Sequence, residues 1–110
     1  MDVRFTYCYL PPAKAFVASQ PKAVQDKIAA TLARAQQDED IKWFKALNDT
    51  LWEFRVQHIG LHLRLFAFWV PDTDTAPQVV ITSGLIKTSK KLPPESLIEA
   101  EHYRLAYLEE

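Results

Sequence analysis

The segment LWEFRVQHIGLHLRLFAFWV, Leu51 to Val70, constrains the fold more than any other part of the chain. Apolar and polar residues alternate up to Gln57, and they alternate again after Gly60. A period of two is typical of half-buried β-strands. A glycine between two such runs permits the positive φ of a tight turn, for example as the third residue of a type II turn. The segment therefore predicts a β-hairpin whose turn is centred on Ile59 and Gly60.

The hydrophobic pattern also selects the register of this hairpin. With the turn at this position, Phe54 faces Leu65 and Val56 faces Leu63 across the two strands. A slip of one residue would set leucines against charged residues and move every side chain to the other face. The sequence therefore predicts one specific pairing.

The same register makes Arg55 and Arg64 direct neighbours on the polar face of the hairpin. Like charges in this position destabilise a sheet, although Glu53 is close enough to relieve part of the repulsion. Two guanidinium groups side by side become useful where an anion binds between them. A solvated sheet face and an anion site are both compatible with the pattern.

The residues before the hairpin predict one strand and two helices. Arg4 to Leu10 is rich in aromatic and β-branched residues, so it predicts a strand that a turn at Pro11-Pro12 ends. Ser19 is a suitable N-cap for a helix that runs to about Gln37. Four apolar residues fall on one face of that helix: Val24, Ile28, Leu32 and Ala35. Ile41 to Leu47 predicts a second, shorter helix.

The residues after the hairpin predict a strand and a final helix. A turn at Pro71 to Asp74 leads to a strand from Gln78 to Ile86, whose end is followed by three lysines, Lys87, Lys90 and Lys91. Pro93-Pro94 then precede a helix with Glu95 in its first turn, where an acid suits the helix dipole. The predicted apolar side of this helix consists of Leu97, Ile98, Leu105 and Leu108.

These elements predict an α+β fold. An N-terminal strand and two helices pack on a small antiparallel sheet, a three-strand meander, and a C-terminal helix follows, with the helices on one face of the sheet. The length of 110 residues is that of one core, so we expect a single domain over residues 1–110.

Composition excludes several classes of protein. Hydrophobic residues make up 48% of the chain and charged residues 25%, as in ordinary globular domains. The single Cys8 forms no internal disulfide, the first residues lack the apolar segment of a signal peptide, and no apolar run approaches a membrane span. We therefore expect a cytoplasmic protein with no membrane association.

Motifs for metals and cofactors are missing from the sequence. His58 and His62 are four residues apart but fall on opposite sides of the predicted turn, so they do not predict a metal site. Neither a glycine-rich phosphate loop nor a G-x-S-x-G motif is present. We expect neither a metal nor a cofactor.

The remaining candidates for chemistry are cations: Arg55, Arg64, Lys87, Lys90 and Lys91. RNA can be cleaved without a metal when its own 2′-hydroxyl attacks the adjacent phosphorus, and the protein then stabilises negative charge and moves two protons. Lysine is normally protonated at neutral pH, so Lys87 is expected to hold a phosphate or donate a proton. The candidates for acid and base are Tyr103, Tyr107 and His102 on the last helix, although such residues more often pack or face solvent.

Three longer segments follow one another in the chain: LWEFR, then RLFAFW after a glycine turn, and then VVITSGLIKTSKKLPPESLIEAEHYR. In this succession, the chain from about Ala15 to Tyr107 resembles the RelE/HigB superfamily of type II toxin–antitoxin toxins, in its phage-derived, host-killing branch. The matching positions are Trp52, Glu53, Phe54, Arg55, Gly60, Arg64, Gly84, Lys87, Lys91, Pro93, Ala100 and Arg104.

This resemblance implies an mRNA endonuclease, either ribosome-associated or free, that a small antitoxin neutralises, often a helix-turn-helix protein. By matching position, Arg64 and Lys87 would act on the phosphate and the transition state, with Arg55 in support. Lys90, Lys91 and Arg104 would bind RNA. The sequence departs from the family pattern at Leu85, Thr88 and Ser89, where the family has an aromatic, a lysine and a threonine.

Two other functions fit the same resemblance. The chain could be a toxin-like module that blocks a topoisomerase without cutting nucleic acid, as the sister ParE group does. It could also be an inactive relative that binds an antitoxin, with its lysines in a solvated loop. The net charge of −1, from 13 basic and 14 acidic residues, is low for a protein that docks among ribosomal phosphates.

Overall fold

A computed structural model describes residues 3–71 and 74–109 of the chain. The elements in order are β1 (Thr6–Tyr9), α1 (Pro11–Ala18), α2 (Lys22–Gln37), β2 (Phe44–Ala46), β3 (Trp52–His58), β4 (Leu61–Val70), β5 (Gln78–Ile86) and α3 (Pro94–Glu109). The predicted α+β class is confirmed. The predicted turn at Pro71 to Asp74 lies partly outside the described residues.

One mixed five-stranded sheet, in the order β1-β5-β4-β3-β2, organises the fold. The predicted meander of β3, β4 and β5 forms its antiparallel centre. β2 adds an antiparallel strand at one edge, and β1 pairs in parallel with β5 at the other. The sheet is therefore larger than the predicted three strands.

The predicted hairpin register is confirmed at every position that was specified. Phe54 pairs with Leu65, Val56 with Leu63, and Arg55 with Arg64. The turn type differs from the type II example, because Ile59 and Gly60 both have positive φ, 44° and 80°. Two consecutive positive φ values are the pattern of a type I′ turn, whose twist matches that of the flanking strands.

The first helix of the fold, α1, replaces the predicted turn at Pro11-Pro12. Leu10 has an extended conformation at the helix start, and the two prolines occupy the first turn. Prolines are tolerated there because the first N–H groups of a helix have no partner within it. Ser19 accordingly ends α1, donating its N–H to the carbonyl of Ala15, and α2 begins at Lys22. The expectation that Ser19 caps the long helix was wrong.

The predicted short helix from Ile41 to Leu47 was also wrong, because β2 occupies this segment. Phe44 pairs with Phe54, and their rings stack with centroids 4.0 Å apart. The side-chain oxygen of Asn48 accepts hydrogen bonds from the backbone N–H groups of Thr50 and Leu51, at 2.9 and 2.8 Å. This Asn48 turn lets the chain reverse into β3.

The main core lies between the sheet and the helices α1 and α2. The predicted apolar face of α2 is buried there, with Val24, Ile28, Leu32 and Ala35 packed against residues of all five strands. Gly84 on β5 permits this packing, since a Cβ at that position would lie 2.8 Å from Cε2 of Phe16 and 2.9 Å from Cδ2 of Leu65. The glycine thus sets how closely α1 approaches the sheet.

Helix α3 packs on the opposite face, so the expectation that all helices share one face was wrong. A second cluster of buried residues there contains Phe66 and Ala100, and the ring of Tyr107 packs against that of Phe68. The predicted apolar side of α3 holds only for Leu97. Its other three members are exposed: Ile98, Leu105 and Leu108.

Candidate functional site

Strand pairing gathers a group of polar residues on one face of the sheet near the hairpin turn. Arg55 lies opposite Arg64, and Gln57 lies opposite His62. Directly opposed residues in an antiparallel pair share a face. The N–H of Lys87 donates to the carbonyl of His62 at 2.7 Å, which extends the pairing one residue beyond β5. Three neighbouring strands therefore contribute cations to the same region.

A buried carboxylate, that of Glu53, anchors the two arginines. Its Oε2 accepts a hydrogen bond from Nε of Arg55 at 2.9 Å, and its Oε1 lies 3.2 Å from Nε of Arg64. Oε1 has no hydrogen-bond partner among the described residues, so the contact with Arg64 is an ion pair without hydrogen-bond geometry. The repulsion expected between Arg55 and Arg64 is thus relieved by one carboxylate that both share.

The two arginines differ strongly in accessibility. The side chain of Arg64 is 9% exposed and that of Arg55 is 42% exposed. Burial lowers the pKa of Arg64, the Glu53 carboxylate raises it, and nearby Arg55 lowers it. A guanidinium stays charged at neutral pH, and Arg64 also donates to the carbonyl of Leu63 at 3.1 Å. Arg55 is therefore the more available cation, and Arg64 is the more rigidly held.

A cleft of about 620 Å³ opens beside these arginines. It lies between α2, the segment before β2 and the strands β3 and β4. Its walls also include Thr31, Trp43, Val56 and Gln57. Among the residues that the structure describes, no Asp or Glu lines it, whereas five cations do: Lys27, Arg34, Lys42, Arg55 and Arg64. Such a lining favours a polyanion.

The predicted lysines have different positions relative to this cleft. Lys87 is half-buried beside His62, which lines the cleft. Lys90 and Lys91 are exposed in the loop that follows, where the hydroxyl of Ser89 donates to the carbonyl of Lys91 at 2.8 Å. The loop is adjacent to the cleft rather than part of its lining.

Arg104 lies on α3, outside the cleft. Its guanidinium pairs with the carboxylate of Glu101, which also accepts a hydrogen bond from the hydroxyl of Thr50 at 2.6 Å. The Thr50 hydrogen bond is the main cause that lowers the pKa of Glu101, and Arg104 adds to it. These contacts join α3 to the turn before β3. Arg104 therefore has a structural contact, through Glu101, that helps to hold α3 in place.

The three predicted acid and base candidates are on α3 and do not line the cleft. Tyr103 donates to Glu99 at 3.0 Å, and this hydrogen bond raises the pKa of Tyr103. The hydroxyl of Tyr107 donates to Gln78 at 3.4 Å. His102 is exposed beside a shallow hollow formed by α3 and the Asn48 turn. The structure therefore does not place any of the three beside Arg55 and Arg64.

Sequence reasoning missed four residues of the cleft: Lys27, Arg34, Lys42 and Trp43. Lys27, Thr31 and Arg34 have helical spacing, which places them on one stripe of α2 beside its buried face. His62 was considered only as a metal ligand, although it precedes Arg64 by two residues and so shares its face. The helical spacing on α2 and the two-residue spacing of His62 and Arg64 were both visible in the sequence.

Among residues 3–71 and 74–109, no group of three or more His, Cys, Asp or Glu side chains is arranged to hold a metal ion. None of the helices in these ranges is long and apolar enough to cross a membrane.

The family model of the phage-derived Gp49-like proteins (DUF891) matches residues 15–104, which is most of the chain. In a comparison with curated protein sequences, none matches this chain. Gp49-like proteins are associated with the toxins of toxin–antitoxin systems, which implies a cognate antitoxin. The resemblance is confirmed at this level, and the closer assignment to RelE or HigB stays a prediction. The chain belongs to the Gp49-like family, a family of toxins related to toxin–antitoxin systems.

Proposed function

We propose that the protein is a type II toxin, similar to RelE and HigB, that cleaves messenger RNA without a metal ion. The main support is the cleft lined by five cations, with Arg55 and Arg64 held side by side by a single buried carboxylate. Two preorganised guanidiniums beside an open cleft suit a phosphodiester whose negative charge increases during reaction.

The proposed reaction uses the substrate's own nucleophile. The 2′-oxygen bonds to phosphorus while the bond from phosphorus to the 5′-oxygen breaks. A base accepts the proton of the 2′-hydroxyl, and an acid gives a proton to the departing 5′-oxygen. The products are a 2′,3′-cyclic phosphate and a 5′-hydroxyl end, so the reaction needs no oxidant, reductant or metal.

The cations in and beside the cleft, together with His62, have proposed roles in this reaction. Arg55 and Arg64 stabilise the non-bridging oxygens of the reacting phosphate, and Lys87 holds the same phosphate or a neighbouring one. His62 lies on the same face as the arginines, and histidine exchanges protons near neutral pH, so it is the favoured proton-transfer group. Lys90 and Lys91 are exposed beyond the cleft and would contact phosphates of the message or the ribosome.

The antitoxin is proposed to cover the same region. An acidic or amphipathic segment laid over the Lys87–Lys91 loop and the face of Arg55 and Arg64 would neutralise the excess positive charge of this region and block RNA. A helix-turn-helix protein with such a tail is the expected partner, in the cytoplasm where messages are translated. An antitoxin that contacts only the Val24, Ile28 and Leu32 face of α2 would contradict this.

The proposal is tested by expressing the chain in bacteria without its antitoxin. Wild type should arrest growth and leave truncated messages. Arg55→Gln should restore growth, and its exposed side chain makes it a cleaner variant than Arg64→Ala, which removes one partner of a buried ion pair. Growth arrest with intact messages and DNA-damage signalling would instead favour topoisomerase inhibition. Harmless expression with retained antitoxin binding would favour an inactive relative.

A further inference from the structure

Trp43 stands apart from the other two tryptophans. Trp52 and Trp69 pack against the main core, whereas Trp43 is 38% exposed and lines the cleft. Burying an indole contributes strongly to folding, so an indole left at the surface beside a cationic cleft is a candidate contact for a ligand.

The position of Trp43 is fixed from two sides. Its carbonyl accepts the backbone N–H of Arg55 at 2.7 Å, which places it across the strands from the proposed phosphate site. The Cζ of Arg34 lies over its ring, 5.8 Å from the centroid. The backbone of Trp43 is therefore held next to Arg55, its ring lies beside Arg34, and the side chain is still accessible.

We propose that Trp43 and Arg34 form a stacking site for one unpaired base of a single-stranded RNA. This inference rests on the proposed function and extends it, because it names the form of the substrate. Aromatic rings beside a positively charged groove bind single strands through base stacking, and an arginine can add to that stack. Lys27 and Lys42, also in the cleft, would hold the backbone on either side.

This arrangement separates two roles within one cleft. Arg55 and Arg64 would hold the reacting phosphate, and Trp43 would hold a base close to it. A base inside a duplex cannot stack on a side chain without leaving its partner. The site should therefore favour single strands over duplexes, whatever their sequence.

The test uses a short, fluorescently labelled 2′-O-methyl RNA, which cannot be cleaved by 2′-hydroxyl attack. Binding to the full chain is followed by anisotropy for wild type, Trp43→Phe, Trp43→Leu and the control Lys14→Gln, since Lys14 is exposed on α1 and does not line the cleft. Trp43→Leu keeps an apolar side chain but has no π face, so it should bind about tenfold more weakly, with Trp43→Phe closer to wild type. The affinity of Trp43→Leu for a duplex of the same sequence should equal that of wild type.

Salt dependence separates stacking from charge. Trp43→Leu should keep the slope of affinity against salt, whereas Lys42→Gln should reduce that slope by about one ion. Thermal unfolding of each variant checks that it is folded. If Trp43→Leu is not, Trp43→Ser takes its place, because it also lacks a ring and should show the same loss of single-strand affinity.

The outcomes are distinguishable from those for the proposed function. Equal binding by wild type, Trp43→Phe and Trp43→Leu, together with RNA cleavage by wild type, overturns the stacking site alone. A loss of affinity only for the antitoxin would assign Trp43 to the protein partner and also overturn it. Wild type that neither binds nor cleaves RNA overturns both proposals.

Discussion

Arg55 and Arg64 lie directly opposite each other on β3 and β4, and their Nε atoms approach the two oxygens of one carboxylate, that of Glu53. Glu53 is 1% exposed, so this carboxylate is inside the protein and its charge is balanced mainly by the two arginines. The arrangement leaves an excess of positive charge at the surface, where Arg55 faces the cleft.

Glu53→Gln is expected to lower the free energy of unfolding by about 3 kcal/mol, because it leaves Arg64 buried without a counter-charge. Chemical denaturation measures this loss. Asp26→Asn is the matched control, since it breaks the exposed pair with Lys22 and should cost less than about 1 kcal/mol. Equal losses in the two variants would show that Glu53 is not a buried anchor.

Gly84→Ala is expected to destabilise the protein by about 2 kcal/mol, because the new methyl group would meet Phe16 and Leu65. The effect is one of packing, so adding Phe16→Leu to Gly84→Ala should recover part of the loss. A double-mutant cycle of unfolding free energies measures this coupling. Additive effects of the two substitutions would contradict the proposed contact.

Ile59→Asn is expected to stabilise the protein by about 1 kcal/mol. Ile59 is β-branched, has a φ of 44° and is 89% exposed, so it has the strain of a left-handed conformation with little compensating burial. Asparagine before glycine is preferred in this kind of turn. Thermal and chemical unfolding should both detect the increase, and a decrease would indicate that Ile59 has packing contacts in solution.

His62→Gln is expected to reduce RNA cleavage by about 10²-fold or more if His62 transfers a proton in the reaction. His58→Gln is the matched control, because His58 is on the same hairpin but does not line the cleft. Single-turnover cleavage rates measured across pH compare the two. If His62→Gln has the rate and pH profile of wild type, His62 is not the acid or base, and other residues transfer the protons.

The hairpin could be predicted from the sequence because its information is local. Alternation over Trp52 to Gln57 and Leu61 to Leu65 has only one register that keeps apolar residues together, and Gly60 marks the turn. That register also predicted that Arg55 and Arg64 would be neighbours, which the structure confirms.

The missed elements are short or depend on distant contacts. Phe44–Ala46 is too short to show a period, and its pairing with β3 decides that it is a strand. Pro11-Pro12 can end a strand or begin a helix, and both occur here. The parallel pairing of β1 with β5 joins segments about 70 residues apart, which no local pattern reveals.

The cleft was only partly predictable for the same reason. Pairing within the sheet could place Arg55, Arg64 and Lys87 together, because register follows from sequence. The contribution of Lys27, Arg34 and Trp43 depends on how α2 and the segment before β2 pack against β3, and that is tertiary information. Sequence alone therefore predicted the part of the cleft that we propose to bind phosphate more completely than the rest.

The most direct test of the central claim is to map the RNA ends made by purified protein in a reconstituted translation reaction. We expect 2′,3′-cyclic phosphate and 5′-hydroxyl ends with wild type, and no cleavage with Arg55→Gln. A message with a single 2′-deoxynucleotide at the cleavage position should resist wild type at that position. Efficient cleavage of the deoxy message, or equal cleavage by Arg55→Gln, would contradict the account.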